Sequence, residues 1–213
     1  MGDSQINMLQ IISAIFIGYL FGCFQTSYFI SKKFIKMDIR ELGSGNAGAS
    51  NVTSEMGWKF GILTGVSDVL KAFMPAKLIV LIFPLSDQQV ELMAIAGVGA
   101  VLGHIYPFFM DFRGGKGVAC YIGMMLAIDW KIGVAAIIFL IVLTIITDYV
   151  SIASILLYVI VPCLAYYSEN YSGTVIVCTL ILLVIGICKH WVNIQNLLAG
   201  NETGLRSVFK KNK

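Results

Sequence analysis

Charge is what this chain lacks most. Asp, Glu, Lys and Arg make up 13% of its 213 residues, about half the ~25% of a typical soluble domain. So few charges cannot cover a water-facing surface. The net charge of +3 is modest, and no nucleic-acid partner is expected. There are only two histidines, far apart in sequence. The five cysteines (Cys23, Cys120, Cys163, Cys178 and Cys188) form no CxxC pair, so no metal-ligand spacing is present. The cysteines read as packing residues in reducing surroundings, and no metal or other cofactor is expected. Internal repeats and low-complexity tracts are absent. That argues against the repeat-built transporter architectures.

Apolar residues fill the place of charge. They make up 58% of the chain, with a mean hydropathy of +0.84, and they come in long runs, the signature of membrane spans. The expected fold is an all-α integral membrane protein, one domain over 1–213. Its seven transmembrane helices are expected at 8–30, 60–83, 92–109, 117–129, 132–147, 150–167 and 174–190. Several are shorter than the ~20 residues of an upright span. The segment Asp129-Trp130-Lys131 reads as a tight turn; a five-span reading would treat 117–147 differently. The first span is expected to stay in the membrane rather than act as a signal peptide, because Asp3 is the only charge ahead of it and the apolar run is long.

The bases sort to one side. Lys32, Lys33, Lys36, Arg40 and Lys59 lie in the first loop, and Arg113 and Lys116 in the second. Lys189, Arg206, Lys210, Lys211 and Lys213 lie after or at the end of the last span. The opposite segments hold Asp3, Asp87, Glu91, Asp129 and Glu169, with Lys131 their one base. The positive-inside bias sets the N-terminus outside and the C-terminus in the cytoplasm. The polar stretches GSGNAGASN (43–51), RGGKG (113–117) and HWVNIQNLLAGNE (190–202) all fall on that cytoplasmic face, where a site is expected.

The glycines and small residues of 43–51 suit an anion-binding nest of N–H groups, and Ser50 or Asn51 could cap a helix beginning nearby. A plain turn fits that stretch equally well. FRGGKG adds the charge of Arg113 and Lys116 to glycines that admit close backbone approach; it lacks the Walker spacing. His104 is a candidate base or phosphate ligand near the end of the third span. His190 and Asn193 are three apart and share a helix face, with Glu202 following. Asp68 and Lys71 are spaced to pair inside the second span, as a structural ion pair or as ligand contacts. Ser151 and Ser154 share another face, where packing is the usual role of serine.

With these stretches in order, the chain resembles the acyl-phosphate-dependent glycerol-3-phosphate acyltransferases of bacterial membranes. DIRELGSGNAGASN (38–51), GHIYPFFMDFRGGKGVA (103–119) and HWVNIQNLLAGNE (190–202) resemble that family's three motifs in order, spacing and sidedness. DVLK (68–71) and YVSIAS (149–154) match as well. The resemblance implies a multi-pass enzyme of the bacterial inner membrane with its site facing the cytoplasm. It would transfer a fatty acyl group from acyl phosphate to the 1-hydroxyl of glycerol 3-phosphate, giving lysophosphatidic acid and phosphate. Acyl-CoA and acyl carrier protein are not that family's donors; a soluble acyl-carrier-protein:phosphate transacylase would supply the acyl phosphate. Carried onto this sequence, the catalytic candidates are Lys116, His190, Asn193 and His104. The substrate-binding candidates are Arg40, Gly43, Ser44, Gly45, Asn46, Gly48, Asn51, Asp68, Lys71, Arg113, Gly114, Gly115, Gly117, Ser151 and Glu202. The proton acceptor stays open among His190, His104 and a substrate phosphate.

The chain departs from the family pattern at Ser54 and Asn196, where arginines are usual, and at Asp148, where a base is common. Gly22, Cys23, Phe24 and Gln25 replace the usual GSIP. A charged hydrogen bond contributes roughly 1.5–3 kcal/mol, so each lost arginine corresponds to about a ten- to hundred-fold weaker contact. The competing readings are a transporter for an anionic substrate and a non-catalytic paralogue.

Overall fold

The computed structural model describes residues 6–211 of the chain, with side chains to Val208. Asp3 and Lys213, and the side chains of Lys210 and Lys211, counted above in the charge bias, therefore lie outside the described residues. Among the described residues the structure is helical, with no strand: α1 (Met8–Cys23), α2 (Thr26–Phe34), α3 (Ala49–Met56), α4 (Trp58–Ile82), α5 (Gln89–Ile105), α6 (Val118–Ile128), α7 (Trp130–Thr147), α8 (Val150–Tyr167), α9 (Gly173–Lys189), α10 (Trp191–Leu198) and α11 (Leu205–Lys211). α1 starts on a capping box, in which Asn7 and Gln10 exchange side-chain-to-backbone hydrogen bonds, satisfying two donors that a helix start would leave open.

Every expected span coincides with a helix, but not all are alike. Met8–Phe34, Gln89–Met110, Trp130–Thr147 and Val150–Tyr167 are long and apolar enough to cross a membrane. α9 and α10, bent by 53° at His190, count as a fifth only when the pair is taken as one span. The 25-residue α4 has the length but carries Lys59, Asp68, Lys71 and Lys77. The 11-residue α6 rises only about 16 Å, half of a ~30 Å hydrocarbon core. The first span is broken between Cys23 and Thr26 rather than continuous. Between α6 and α7 the turn is as tight as expected: Asp129 ends one helix and caps the next, accepting from Lys131 N at 2.9 Å.

α5 lies at the centre, buried almost all round from Leu92 to Ile105. Its small residues explain how. Gly18 and Gly22 on α1 face Ala96 and Ala100 on α5, and Gly99 and Gly103 on α5 face Ile15 and Tyr19 on α1. A Cβ at any of the four would strike a backbone oxygen of the partner helix. Two interlocked small-xxx-small stripes bring the backbones into contact, which favours association where lipid removes the hydrophobic drive. The outer faces carry the large apolar side chains instead: Phe16, Leu20, Ile62, Ile138, Ile145 and Val184 are exposed, the reverse of a soluble surface. Cys23, Cys120 and Cys178 are buried, as packing residues would be, whereas Cys163 and Cys188 are exposed on the outer faces.

Gly99→Leu is expected to force α1 from α5 and destabilise the bundle by about 3 kcal/mol or more. Gly173→Ala, where an added methyl meets open space, should leave it unchanged. Thermal unfolding in detergent compares the two directly.

Candidate active site

The first loop closes on itself. The Asn51 amide donates to Ile39 O, Leu42 O and Asn46 O at 2.9–3.1 Å, while its Oδ1 accepts from Ser44 N at 2.9 Å. Asn46 Oδ1 accepts from Gly48 N, and Gly45 N donates to Leu42 O. The expected nest is corrected for three of its donors: the N–H groups of Ser44, Gly45 and Gly48 are spent inside the loop. Asn51 acts as the loop's hub. The expected cap is corrected too, because α3 begins at Ala49 with Gly48 as N-cap, so Ser50 and Asn51 fall inside its first turn. Gly43 and Gly45 have positive φ, and a Cβ on Gly43 would meet Asn51 Oδ1.

Arg40 ties this loop to the second. Its guanidinium holds the Asp38 carboxylate at 2.8–3.1 Å, donates to Met110 O at 2.6 Å and lies 3.9 Å from Asp111. Burial works against the Asp38 charge, yet Arg40 prevails and holds that carboxyl below its usual range; Asp38 in turn raises Arg40. Met110 packs in a small core with Ile39, Ala47 and Val52.

The second loop folds over a buried polar cluster. Lys71 Nζ sits 2.8 Å from Asp68 Oδ1 and 2.7 Å from Phe24 O, the carbonyl freed by the break after α1. His104 Nδ1 lies 3.5 Å from the same carboxylate oxygen. Gln25 donates to His104 O at 2.9 Å. Gly115 N also donates to His104 O, and Gly114 N to Ile105 O. These glycines are required because a Cβ on Gly115 would enter the His104 ring and one on Gly114 would meet His104 O. Their N–H groups are committed to the chain itself. Asp68, His104 and Cys120 bring three possible metal donors within 4.8 Å of one another, a convergence that sequence spacing does not reveal. The Lys71 ammonium already supplies the cation there.

Lys116 then leads out to the third segment. Its Nζ donates to Asn193 Oδ1 at 2.5 Å, and Asn193 Nδ2 donates to Glu202 Oε1 at 2.7 Å. Lysine can only donate and a carboxylate can only accept, so this chain fixes the amide's orientation. Burial lowers the Lys116 pKa; Glu202 opposes that and Lys189 adds to it. Tyr158 OH donates to Lys116 O at 3.0 Å, with its ring stacked on Tyr121 and tilted against His190. His190 Nδ1 lies 2.8 Å from Gly186 O. A carbonyl only accepts, so Nδ1 carries the proton and Nε2 keeps the lone pair.

The three segments therefore form one circuit. Arg40 joins the first to the second, Lys116 the second to the third, and α11, just past Glu202, rests against α3 behind the first loop. Arg40, Asn51, Lys116, His190, Asn193 and Glu202 belong to it, with Asp68, Lys71 and His104 directly beneath. Arg113 stands exposed and joins no part of it. Ser44 is exposed at the loop surface. Ser151 Oγ is buried without a partner among the described residues, while Ser154 bonds back to Val150 O. Gly117 adopts φ 89° beside Tyr158 OH, where a side chain would be strained and crowded. Asp38, Tyr158, Tyr121 and Gln25 were not anticipated. Asp38 sits two residues before Arg40, which was a usable signal; the two tyrosines had none.

The arrangement defines a polytopic helical membrane protein with a cationic, polar site ringed by three segments at one end of its bundle. The sequence profile described as glycerol-3-phosphate acyltransferase matches residues 12–200, and the chain belongs to that family. Similar proteins include "Glycerol-3-phosphate acyltransferase 1" of Oceanobacillus iheyensis, 35% identical over 96% of this chain and 99% of that one. Another is "Glycerol-3-phosphate acyltransferase" of Prochlorococcus marinus, 37% identical over 90% and 96%. Two crystal structures of PlsY (YgiH), described as an integral membrane glycerol 3-phosphate acyltransferase, share the fold at 31% identity. The glycerol 3-phosphate form has a TM-score of 0.82 over 91% of this chain and 94% of that one. The lysophosphatidic acid form has 0.80 over 93% and 98%.

Asn51→Ala removes two amide N–H donors and one Oδ1 acceptor from the loop, at about 1 kcal/mol for each hydrogen bond lost. The first loop should loosen, lowering the thermal midpoint and weakening glycerol 3-phosphate binding at least ten-fold, as read by titration of the purified protein.

Proposed function

We propose that this chain transfers a fatty acyl group from acyl phosphate to the 1-hydroxyl of glycerol 3-phosphate, releasing lysophosphatidic acid and inorganic phosphate. The observation that carries the proposal is the Lys116–Asn193–Glu202 chain closing a ring of three polar segments. Both substrates bear phosphate, and Asn193 takes one of the three N–H donors of Lys116. The other two are uncommitted among the described residues, so the ammonium can meet a phosphate oxygen in a charge-assisted bond. The acyl chain lies along the apolar flank while its phosphate stays at the polar end. The ring supplies this attraction through side chains, the N–H groups of Ser44, Gly45, Gly48, Gly114 and Gly115 being bonded within the chain.

The hydroxyl oxygen attacks the acyl carbonyl carbon, forming the new ester bond as the bond to phosphate breaks. Phosphate is already a good leaving group, so no covalent enzyme intermediate is needed. Alignment of the two bound reactants can remove about 7–11 kcal/mol from a bimolecular barrier in favourable cases. The hydroxyl proton passes to His190 Nε2 or to a substrate phosphate. His104, pinned between Asp68 and the second loop, holds that loop in place. Lys116 offsets charge on the phosphate that departs.

The same reading includes the topology. Seven crossings, with the N-terminus outside and the C-terminus in the cytoplasm, place the ring at the cytoplasmic face of a bacterial inner membrane. The helix ends support it. Asn7, Gln10 and the 82–86 turn share one cavity, away from the ends that build the ring. A soluble transacylase at that face would deliver the acyl phosphate.

Purified protein given palmitoyl phosphate and labelled glycerol 3-phosphate should form lysophosphatidic acid. Palmitoyl-CoA should form none. Lys116→Ala should lose about 10²-fold or more in rate while keeping its thermal midpoint. Product from palmitoyl-CoA alone, or full activity in the variant, would contradict the proposal.

A further inference from the structure

We propose that Asp148 is a positioning residue for the Lys116 ammonium: it clasps the C-terminal segment and so holds Glu202 against Asn193. Asp148 lies in the single turn between α7 and α8, at φ 71°. Its carbonyl accepts from Leu205 N at 2.7 Å, and its Oδ1 accepts from Arg206 N at 2.8 Å. The Arg206 guanidinium lies 3.9 Å from the same oxygen. Gly204 fits against the carboxylate so closely that a Cβ there would strike Oδ2. Carboxylate and carbonyl together receive the first N–H groups of α11, donors that no turn of the helix can satisfy.

The other end of the segment is also fixed. Gly200 takes φ 72°, and Asn201 N donates to Asn196 O at 2.8 Å. Glu202 hangs between these two anchors. The tail is thus held at both ends of 201–206, and the carboxylate that orients Asn193 is placed by a residue 54 positions earlier. Arginine or lysine at 148 would keep the carbonyl for Leu205 N but could not receive Arg206 N, because neither side chain has an acceptor. The acid that departs from the family's usual base thus has a defined task in this chain. α11 also rests on α3, so the same clasp carries the tail onto the helix that follows the first loop.

The groups facing Lys116 are Glu202 from the tail, with Lys189 and His190 from the end of α9. Of these only Glu202 favours the protonated amine. Releasing the tail removes that support, and Lys116 then loses its proton at lower pH.

The test uses the full-length protein with Asp148→Ala, Asp148→Asn, Glu202→Gln and the Asp148→Ala/Glu202→Gln pair. Its kinetic arm rests on the acyl-transfer reading. Asp148→Ala should cut kcat about ten-fold and move the alkaline limb of the pH profile to lower pH, as Glu202→Gln does. The double variant should fall no further than the worse single one, since both break one linkage. Asn at 148 keeps an acceptor for Arg206 N and should restore most of the rate and the limb. A second arm is independent of turnover: Lys116 labelling by an amine-reactive reagent, read by mass spectrometry across pH, should speed up in Asp148→Ala and not in Asp148→Asn. An unmoved labelling profile in Asp148→Ala overturns the clasp. A moved labelling profile in a protein without acyl transfer upholds the clasp and overturns the reaction instead.

Discussion

The site depends on one constraint: an ammonium held half out of water must have partners that fix it without neutralising it. Asn193 meets that requirement. Its carbonyl oxygen takes one N–H of Lys116, and its amide leans on Glu202. A carboxylate placed directly on Lys116 would compete with a phosphate for the same charge. With a neutral amide between them, the acid steadies the lysine from one residue further away. Each of the three polar segments is then where it must be for that short chain to close.

Placement comes from the helices. The close approach of α1 and α5 through facing glycines puts the end of α5, and with it His104, under the second loop. The break after α1 frees Phe24 O, which Lys71 takes, and Lys71 pairs with Asp68 in the interior beside His104. A buried pair of this kind adds little net stability, yet removal of one member leaves an uncompensated charge and is severely destabilising. The cluster thus serves as a rigid floor, and Gly114 and Gly115 lie flat on it.

Much of this was legible in the sequence. Long apolar runs marked the long helices of the bundle but not the short α3, α10 and α11, and the sidedness of Lys and Arg gathered the three polar stretches before any contact was known. The spacing of Asp68 and Lys71 anticipated their pairing. What could not be read was where backbone N–H groups would point. Glycines in 43–51 and 113–117 suggest a nest open to an anion, but Asn51 turns the Ser44 donor inward and His104 that of Gly115, a choice made by tertiary contacts. The tyrosines at 121 and 158 were indistinguishable from packing residues. Asp148 looked like a loss relative to a related pattern, because the α11 donors it serves lie 57 or more residues away. The roles of Gly18, Gly22, Gly99 and Gly103 were written in their four-residue spacing, yet that spacing gains meaning only once the two helices are known to be neighbours.

On the reading proposed above, Lys116, steadied by Asn193, is the protein's charge for substrate phosphate. Equilibrium titration of glycerol 3-phosphate, with no acyl donor present, into the native protein and into Lys116→Met and Asn193→Ala tests it most directly. The native protein should bind glycerol 3-phosphate, both variants should bind it at least ten-fold more weakly, and glycerol in place of the phosphate ester should not bind. Native-like affinity in Lys116→Met would contradict it.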